Sequence, residues 1–389
     1  MPDRKRILFL FSDTGGGHRS AAEAIIEALD RNYPQRYQAK LVDVLKAYAP
    51  LPFNRLPAIY PRIVRLPRAL GAAYRISDGH GRARALTAAA WPYVRAAARR
   101  LVLEQAPDLA VSVHPLLNAP VIKALGKSHP PFLTVVTDLV TTHALWYHRR
   151  VSLCLVPTEQ ARERALACGL RPDQVQVAGL PVSWRFCQPP GDPERLRAAL
   201  GWPTDRPMVL LVGGGEGMGP LLETARAIAG IGIDFGLAVV AGRNARLRNR
   251  LEAEAWPIQT FIYGFESRMP EMMQAASLLV TKAGPGTIAE ALNAGLPMVL
   301  YSRLPGQEEG NVDYVVNQGV GVWAPGSARG AKAVSRWLSS PEELGKAASA
   351  CRRIARPEAA ARVAAIIDSL LSSPLPGPGE QTRSSSAEV

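Results

Sequence analysis

A glycine-containing turn in the second half of the chain, GPGT at 284–287, has the residue types needed to bind a phosphate. An apolar run at 278–280 predicts a strand before the turn, and the residues after it predict a helix. Glycines let backbone N–H groups approach an anion, and the amino end of a helix carries about half a positive charge. Glu290, one turn into this helix, can accept hydrogen bonds from both hydroxyls of a ribose. The segment therefore predicts a nucleoside diphosphate site, with an ordinary tight turn as the alternative.

A polar loop, PGQEEGN at 305–311, follows the next predicted strand. Its amide and carboxylates, including Gln307 and Glu308, are able to hydrogen-bond to the hydroxyls of a sugar. The carboxyl ends of neighbouring parallel strands lie at one edge of a sheet, so this loop is expected beside the phosphate turn. We therefore predict that a hexose attached to the diphosphate projects onto this loop, although polar loops are also common without a ligand.

A glycine-rich loop lies near the amino end, with the sequence DTGGGHRS at 13–20. An apolar run at 6–11 precedes it and a helical pattern follows, which indicates a strand, a tight loop and a helix. Neutral imidazole is a base near pH 7, so His18 is a candidate to deprotonate an acceptor hydroxyl, with Asp13 as a candidate to orient its ring. The alternative is that His18 and Ser20 only cap the helix.

Polar and aromatic residues also cluster after a predicted strand at 132–136. Asp138, His143 and Trp146 are candidates to contact the headgroup of a lipid, or they form a turn with an aromatic anchor. The sequence contains no Asp-x-Asp pair, the carboxylate arrangement suited to holding a metal ion on a diphosphate. We therefore expect neither a metal nor another cofactor, with the glycine turn supplying the positive environment instead.

Basic and apolar residues are mixed between Arg55 and Arg100, where Asp78 is the one acidic residue. The chain carries a formal net charge of +13, so an anionic partner is expected, and membranes and nucleic acids are the two common ones. Interleaved aliphatic and aromatic side chains favour an anionic membrane surface, with no nucleic acid. The arginines of this segment include Arg62, Arg65 and Arg68. The alternative is an ordinary solvated basic helix.

Parallel sheets must position these loops, because each loop follows a predicted strand. Strands are predicted in two series, at 6–11, 109–113, 132–136 and 153–156, and again at 208–212, 237–241, 259–262, 278–280 and 298–300. Helical patterns separate them, as in doubly wound α/β domains. We therefore predict the GT-B arrangement, an α/β fold in which two doubly wound, Rossmann-like domains face each other across a cleft.

The length of 389 residues also suits two domains. We assign 1–185 to an acceptor-binding, membrane-facing domain and 207–371 to a UDP-sugar-binding domain. The proline-rich segment 186–206 is expected to link them, and 372–389, rich in Pro, Gly and Ser, is expected to be disordered.

The sequence also bears on where the protein is found. No run of about 18 apolar residues that would span a bilayer is present, and the first residues lead directly into a predicted strand. The four cysteines form no Cys-x-x-Cys pair, which argues for a reducing compartment and no structural zinc. We therefore expect a cytoplasmic protein, bound peripherally to the inner face of the cell membrane.

Seven ordered segments together resemble the monogalactosyldiacylglycerol synthase family, relatives of the peptidoglycan N-acetylglucosaminyltransferase. They are DTGGGHRSAAEAI (13–25), TDLVTTHALWYH (137–148), GGGEGMGP (213–220), AGRN (241–244), GF (264–265), TKAGPGTIAEAL (281–292) and PGQEEGN (305–311). The resemblance covers nearly the whole chain and implies inverting transfer of a hexose, galactose in preference to glucose, from a UDP-sugar to the free hydroxyl of 1,2-diacylglycerol. A glucose donor, a polyprenyl-linked acceptor, a nucleotide-sugar epimerase and a non-enzymatic basic membrane protein remain as alternatives.

The resemblance also implies roles for individual residues. His18 is implied as the base. The implied donor site comprises Gly284, Gly286 and Thr287 at the diphosphate, Glu290 at the ribose, Phe265 near the uracil, and Gln307 and Glu308 at the sugar, with Gly214 and Arg243 beside them. The acceptor and membrane side comprises Gly16, Gly17, Asp138, His143, Trp146, Arg62, Arg65 and Arg68.

Overall fold

Two parallel sheets form the framework of the computed structural model, which describes residues 4–63, 66–127, 129–189, 191–217 and 219–372. The first sheet contains β1 Lys5–Phe11, β2 Tyr37–Asp43, β3 Leu109–Ser112, β4 Phe132–Val135, β5 Leu153–Val156 and β6 Val175–Val177. The second contains β7 Met208–Val212, β8 Gly236–Val240, β9 Thr260–Tyr263, β10 Leu278–Lys282, β11 Met298–Ser302 and β12 Gly321–Trp323. The strand orders are β2-β1-β3-β4-β5-β6 and β12-β11-β10-β7-β8-β9. The predicted α/β fold with two doubly wound domains is therefore confirmed.

Helices connect the strands and cover both faces of each sheet. Those of the first half are α1 Gly16–Asn32, α2 Val44–Tyr48, α3 Leu56–Ile63, α4 Pro67–Ser77, α5 His80–Gln105, α6 Pro115–Leu125 and α7 Glu159–Ala167. Those of the second half are α8 Pro193–Leu200, α9 Leu221–Ala229, α10 Ala245–Glu252, α11 Met269–Ala275, α12 Pro285–Asn293, α13 Glu309–Asn317, α14 Ser327–Leu338, α15 Pro341–Ile354 and α16 Ala359–Ser372.

Alternation along β1 shows how the first sheet builds two cores. Ile7 and Phe9 belong to the core beneath α1 and α16, whereas Leu8 belongs to the core beneath α5 and α6. Ile7 lies between Ala39 of β2 and Leu109 of β3 in the parallel register. Because helices bury both faces, the strand is apolar at successive positions instead of at every second one.

The second sheet is built in the same way. Leu210 of β7 packs in the core beneath α11 and α12, and its neighbour Leu211 packs in the core beneath α9 and α14. Both side chains are fully buried. The glycine turns that follow β7 and β10 therefore extend from two adjacent strands with rigid positions.

The chain crosses between the two sheets twice. The first crossing contains a short 3-10 helix, Trp184–Cys187, and α8, so the expected linker at 186–206 includes a helix. The second crossing leads into α16, whose Val363 and Ile367 are fully buried against the first sheet. The expected 207–371 domain therefore ends in a helix that packs on the other half of the molecule.

The predicted membrane-facing segment forms α3, α4 and α5. Arg68 is exposed near the start of α4, whereas Arg65 and the side chain of Arg62 lie outside the described residues, as does 373–389 of the expected disordered tail. None of the helices in the described ranges is long and apolar enough to cross a membrane.

Candidate active site

The diphosphate turn lies where the sequence predicts it, between β10 and α12. Gly284 is the amino-terminal cap of α12, Pro285 occupies the first turn, and no side chain caps the helix. The backbone N–H groups of the first turn are thus left for an anion. A Cβ atom built on Gly286 would meet nothing within 4 Å, so space for a ligand remains above the turn.

Lys282 is a site residue that the sequence prediction omitted. Its Nζ lies 2.6 Å from Oε1 of Glu308, and both side chains are nearly buried. The same Nζ lies 2.8 Å from the Cβ position of Gly284, and Cε lies 3.5 Å from that of Gly214. The ammonium group therefore lies between the glycine turns after β7 and β10, where a diphosphate would need positive charge.

Glu290 lies in the second turn of α12, the helix that begins at the diphosphate turn. Burial raises its pKa to about 8. Its carboxylate makes no hydrogen bond within the described part of the chain. A buried carboxylate without a protein partner is costly, and two ribose hydroxyls would satisfy it.

Replacing Glu290 by Gln is expected to weaken UDP binding about ten- to hundred-fold, because a charged hydrogen bond contributes about 1.5–3 kcal/mol. The ligand-free carboxyl of the native protein holds its proton up to about pH 8, whereas ribose hydroxyls donate to the ionised form. UDP binding should therefore release a proton at pH 7, and UDP affinity should rise as the pH increases toward 8. Calorimetry in buffers of different ionisation enthalpy measures both effects.

The matched control is Glu342→Gln, because Glu342 is exposed and pairs only with Lys346 on the helix surface. Equal UDP affinity and equal proton release in native protein and Glu290→Gln would place the ribose elsewhere.

An exposed platform lies beside the turn after β7. The guanidinium of Arg243 stacks 4.1 Å from the centre of the Phe265 ring, and 63% of Phe265 is exposed. The Arg243 backbone N–H donates to the carbonyl of Gly215, which ties the platform to that turn. Gly214 there has φ of +73°, a conformation that favours glycine. The flat surface suits the stacking of a nucleobase.

The polar loop at 305–311, called the sugar loop below, makes more internal contacts than the sequence predicts. Glu308 is 2% exposed, and its Oε2 accepts a 2.8 Å hydrogen bond from the Leu304 backbone while its Oε1 contacts Lys282. Glu308 therefore fixes the loop and the lysine instead of presenting two free oxygens. Gln307 donates from Nε2 to Oδ1 of Asp138, at 3.2 Å, and so joins the two domains.

His18 lies in the first turn of α1 and faces the loop after β4. Its Nδ1 is 2.8 Å from Oγ1 of Thr137, and its ring centre is 4.6 Å from that of His114. Burial lowers the pKa of His18 to about 4, against smaller raising effects of the Val113 backbone and the Asp13 charge. The imidazole is therefore neutral at pH 7 and able to accept a proton.

Asp13 does not orient that ring, contrary to expectation. Arg19 donates to Oδ1 and Oδ2 of Asp13 at 2.9 and 2.6 Å, so the carboxylate is held in a two-point ion pair on the other side of the helix start. Thr137 orients His18 instead. Gly16 and Gly17 are exposed beside them, and Cβ atoms built on either would meet nothing within 4 Å.

The other residues expected on the acceptor side are buried. Trp146 is fully buried and donates from Nε1 to Asp138, at 2.7 Å. His143 is 5% exposed and caps a short 3-10 helix by accepting from the Leu145 backbone. Their burial fits the alternative, a turn with an aromatic anchor, and contact of these two side chains with a lipid headgroup stays a prediction. Burial and the charge of Glu308 raise the pKa of Asp138 to about 6, against hydrogen bonds from Trp146 and Gln307.

Comparison with known families gives a consistent result for both halves of the chain. A family model described as monogalactosyldiacylglycerol (MGDG) synthase matches residues 18–182. A second, described as the glycosyltransferase family 28 C-terminal domain, matches residues 208–327. The first match contains His18 and Asp138, and the second contains both turns of the donor region.

Curated relatives extend over most of the sequence. A protein of Oryza sativa subsp. japonica named "Probable monogalactosyldiacylglycerol synthase 2, chloroplastic" is 40% identical over 370 residues, covering 91% of this chain and 78% of the relative. "Monogalactosyldiacylglycerol synthase, chloroplastic" of Spinacia oleracea is 38% identical over 379 residues, covering 94% and 73%. The expectation of a cytoplasmic protein on the inner face of the cell membrane is contradicted, because these relatives are named chloroplastic.

Solved structures share the fold at low sequence identity. MurG from Acinetobacter baumannii superposes with a TM-score of 0.60 at 15% identity, over 94% of this chain and 99% of that one. The S. aureus MnaA–UDP co-structure gives 0.62 at 13% identity, over 94% and 97%. The fold is the GT-B arrangement, as predicted. With curated relatives at 38–40% identity over 91–94% of its length, the chain belongs to the monogalactosyldiacylglycerol synthase family.

Proposed function

We propose that this chain transfers galactose from UDP-galactose to the free hydroxyl of 1,2-diacylglycerol and forms a β-linked monogalactosyl lipid. The observation that carries the proposal is the 3.2 Å contact between Gln307 and Asp138. It joins the sugar loop to the residue next to Thr137, which in turn holds His18 at 2.8 Å. The neutral base and the predicted hexose position therefore face each other across the cleft, as an attack on the anomeric carbon requires.

The proposed step is a single displacement. The lipid hydroxyl oxygen forms a bond to the anomeric carbon on the face opposite UDP, and the bond from that carbon to the phosphate oxygen breaks. The proton of the hydroxyl passes to the neutral imidazole of His18. The electron pair leaves with UDP, whose new charge is stabilised by Lys282 and the amino end of α12.

The direct test is an assay of purified protein with diacylglycerol and either radiolabelled UDP-galactose or UDP-glucose. We expect label in the lipid fraction with UDP-galactose and much less with UDP-glucose. Faster transfer from UDP-glucose, or transfer to a polyprenyl phosphate but not to diacylglycerol, would contradict the proposal.

Activity is expected to survive excess EDTA, because we propose that protein charges stabilise the departing diphosphate without a metal. The support is the position of the Lys282 ammonium, 2.6 Å from Glu308 and next to the glycine turn. Initial rates with EDTA, and after adding Mg²⁺ or Mn²⁺, provide the measurement. A rate that collapsed in chelator and returned with either cation would show that the metal-free mechanism is wrong.

We further propose that α3, α4 and α5 rest on an anionic lipid surface. The exposed arginines of this segment include Arg68, Arg75, Arg82, Arg84, Arg95 and Arg99. The exposed apolar side chains there and just before it include Leu51, Phe53, Leu66, Ile76, Leu86 and Tyr93. Apolar side chains among the arginines favour lipid over nucleic acid, because they can enter the headgroup region.

Replacing Arg68, Arg84 and Arg95 together by Gln is expected to weaken vesicle binding about a hundred-fold, since each basic residue near an anionic surface contributes about 1 kcal/mol. Co-sedimentation with vesicles of increasing anionic phospholipid content measures the effect. Three exposed arginines of the other half, Arg195, Arg246 and Arg250, are the matched control set. If both triple variants bound alike, the segment would be an ordinary solvated surface.

A further inference from the structure

Helix α4 packs directly on the sugar loop of the other domain. A Cβ atom built on Gly71 would lie 2.7 Å from Cβ of Pro305, so only glycine lets the helix approach this closely. Three residues along, the Tyr74 ring lies 3.1 Å from the Cβ position of Gly306, whose φ is +83°. The basic segment is therefore in contact with the loop that carries Gln307 and Glu308.

Polar contacts fix the same arrangement. The Tyr74 hydroxyl donates to the carbonyl of Thr141 at 3.1 Å, and Thr141 accepts from the Gly310 backbone N–H at 2.9 Å. Arg75 lies 3.7 Å from Glu309 across the domain boundary. Helix α4, the loop after β4 and the sugar loop thus form one packed unit.

Helix α3 brings Tyr60 to the centre of this unit. Its Cε1 lies 3.6 Å from the Cβ position of Gly15, in the loop that carries His18. Burial raises the pKa of Tyr60 to about 12, with smaller contributions from the charges of Glu308 and Asp138. The hydroxyl makes no hydrogen bond within the described part of the chain. Tyr60 therefore presents an unpartnered, protonated donor beside the loop that carries the proposed base.

We propose that α3 and α4 form one wall of the donor-sugar pocket, and that the Tyr60 hydroxyl donates a hydrogen bond to the transferred hexose. This inference rests on the proposed function and adds a residue to its donor site. It also gives the basic segment between Arg55 and Arg100 a second function, because the helices that we propose to rest on lipid also pack on the sugar loop.

The test compares binding of UDP and UDP-galactose by calorimetry, independently of turnover. Tyr60→Phe keeps the ring and removes the donor, so affinity for UDP-galactose should fall about tenfold while affinity for UDP stays unchanged. Tyr93→Phe is the matched control, since Tyr93 is half exposed on α5. Equal UDP-galactose affinity in native protein and Tyr60→Phe would overturn the inference. Native protein that bound UDP but not UDP-galactose would overturn both it and the proposed function.

A second pair of variants tests the wall itself. Gly71→Ala places a methyl group where Pro305 lies, whereas Gly81→Ala on α5 meets nothing within 4 Å. Alanine favours helix at both positions, so loss of folding is not expected. Gly71→Ala should weaken UDP-galactose binding at least fivefold and leave UDP binding unchanged, with Gly81→Ala like native protein. Identical behaviour of the two variants would overturn the proposed wall.

Discussion

Replacing His18 by Ala is expected to lower kcat by about 10²–10⁴-fold, because an alcohol is a poor nucleophile at neutral pH and a positioned base contributes that much. Nucleotide affinity should stay near that of native protein, since Lys282, Glu290 and the α12 turn belong to the other domain. Initial rates at saturating substrates, with UDP calorimetry, separate the two effects.

His148→Ala is the matched control. Burial lowers the pKa of His148 to about 4, as for His18, but His148 precedes the amino end of β5, whereas His18 follows the carboxyl end of β1. His148→Ala should retain the kcat of native protein. If His18→Ala instead lost thermal stability but kept its turnover per folded molecule, His18 would be a structural cap.

The low pKa of His18 also has a consequence for pH dependence. A base with a pKa of about 4 is deprotonated throughout the neutral range, and it becomes protonated only as the pH falls toward 4. A rate loss between pH 8 and pH 6 would therefore have to come from another group. At low donor concentration that group is Glu290, with a pKa of about 8 in the ligand-free protein. At saturating donor it is Asp138, with a pKa of about 6, which lies beside Thr137.

Removing the positive charge of Lys282 is expected to lower kcat/KM about 10²–10³-fold, comparable to removing a donor that stabilises charge in a transition state. Lys282→Met alone would leave Glu308 buried and unpaired, a change that costs about 3–5 kcal/mol of stability. The informative protein is therefore the double variant Lys282→Met with Glu308→Gln, compared with Glu308→Gln alone. Thermal melts confirm folding, and initial rates and UDP affinity give the effect.

Lys346→Met controls for the loss of one charge, because Lys346 is exposed on α15. The double variant at Lys282 and Glu308 should weaken UDP binding, whereas His18→Ala should leave UDP binding unchanged. UDP calorimetry therefore distinguishes the two roles. Equal UDP affinity and equal turnover in the double variant and in Glu308→Gln would exclude a role for Lys282 at the diphosphate.

Local pattern was sufficient to predict every interior strand, but of the four edge strands it predicted β9 alone. The strands absent from the sequence prediction are β2, β6 and β12, and each lies at the edge of its sheet. β2, with the sequence YQAKLVD, alternates exposed and buried positions, because an edge strand is less completely covered. It therefore lacks the continuous apolar run that identifies β7 or β10.

The site shows the same limit at the level of side chains. The glycine turns and Glu290 were predictable because a strand, a turn and a helix are contiguous in sequence. Asp13 is five residues from His18, yet Arg19 takes its carboxylate, and the partner of His18 is Thr137, 119 residues away. Lys282 and Tyr60 were not predicted, because the residues they contact come from distant segments of the sequence that the fold brings together.

Helix α16 has a consequence for the order of folding during synthesis. The six strands of the first sheet lie between residues 5 and 177, but α16, which together with α1 covers one face of β1, begins only at Ala359. Until then Ile7, Phe9 and their neighbours lack the contacts of Val363 and Ile367. The half that contains the first sheet therefore leaves the ribosome with an apolar surface still uncovered, and it can complete its core only after the half that contains the second sheet has been made.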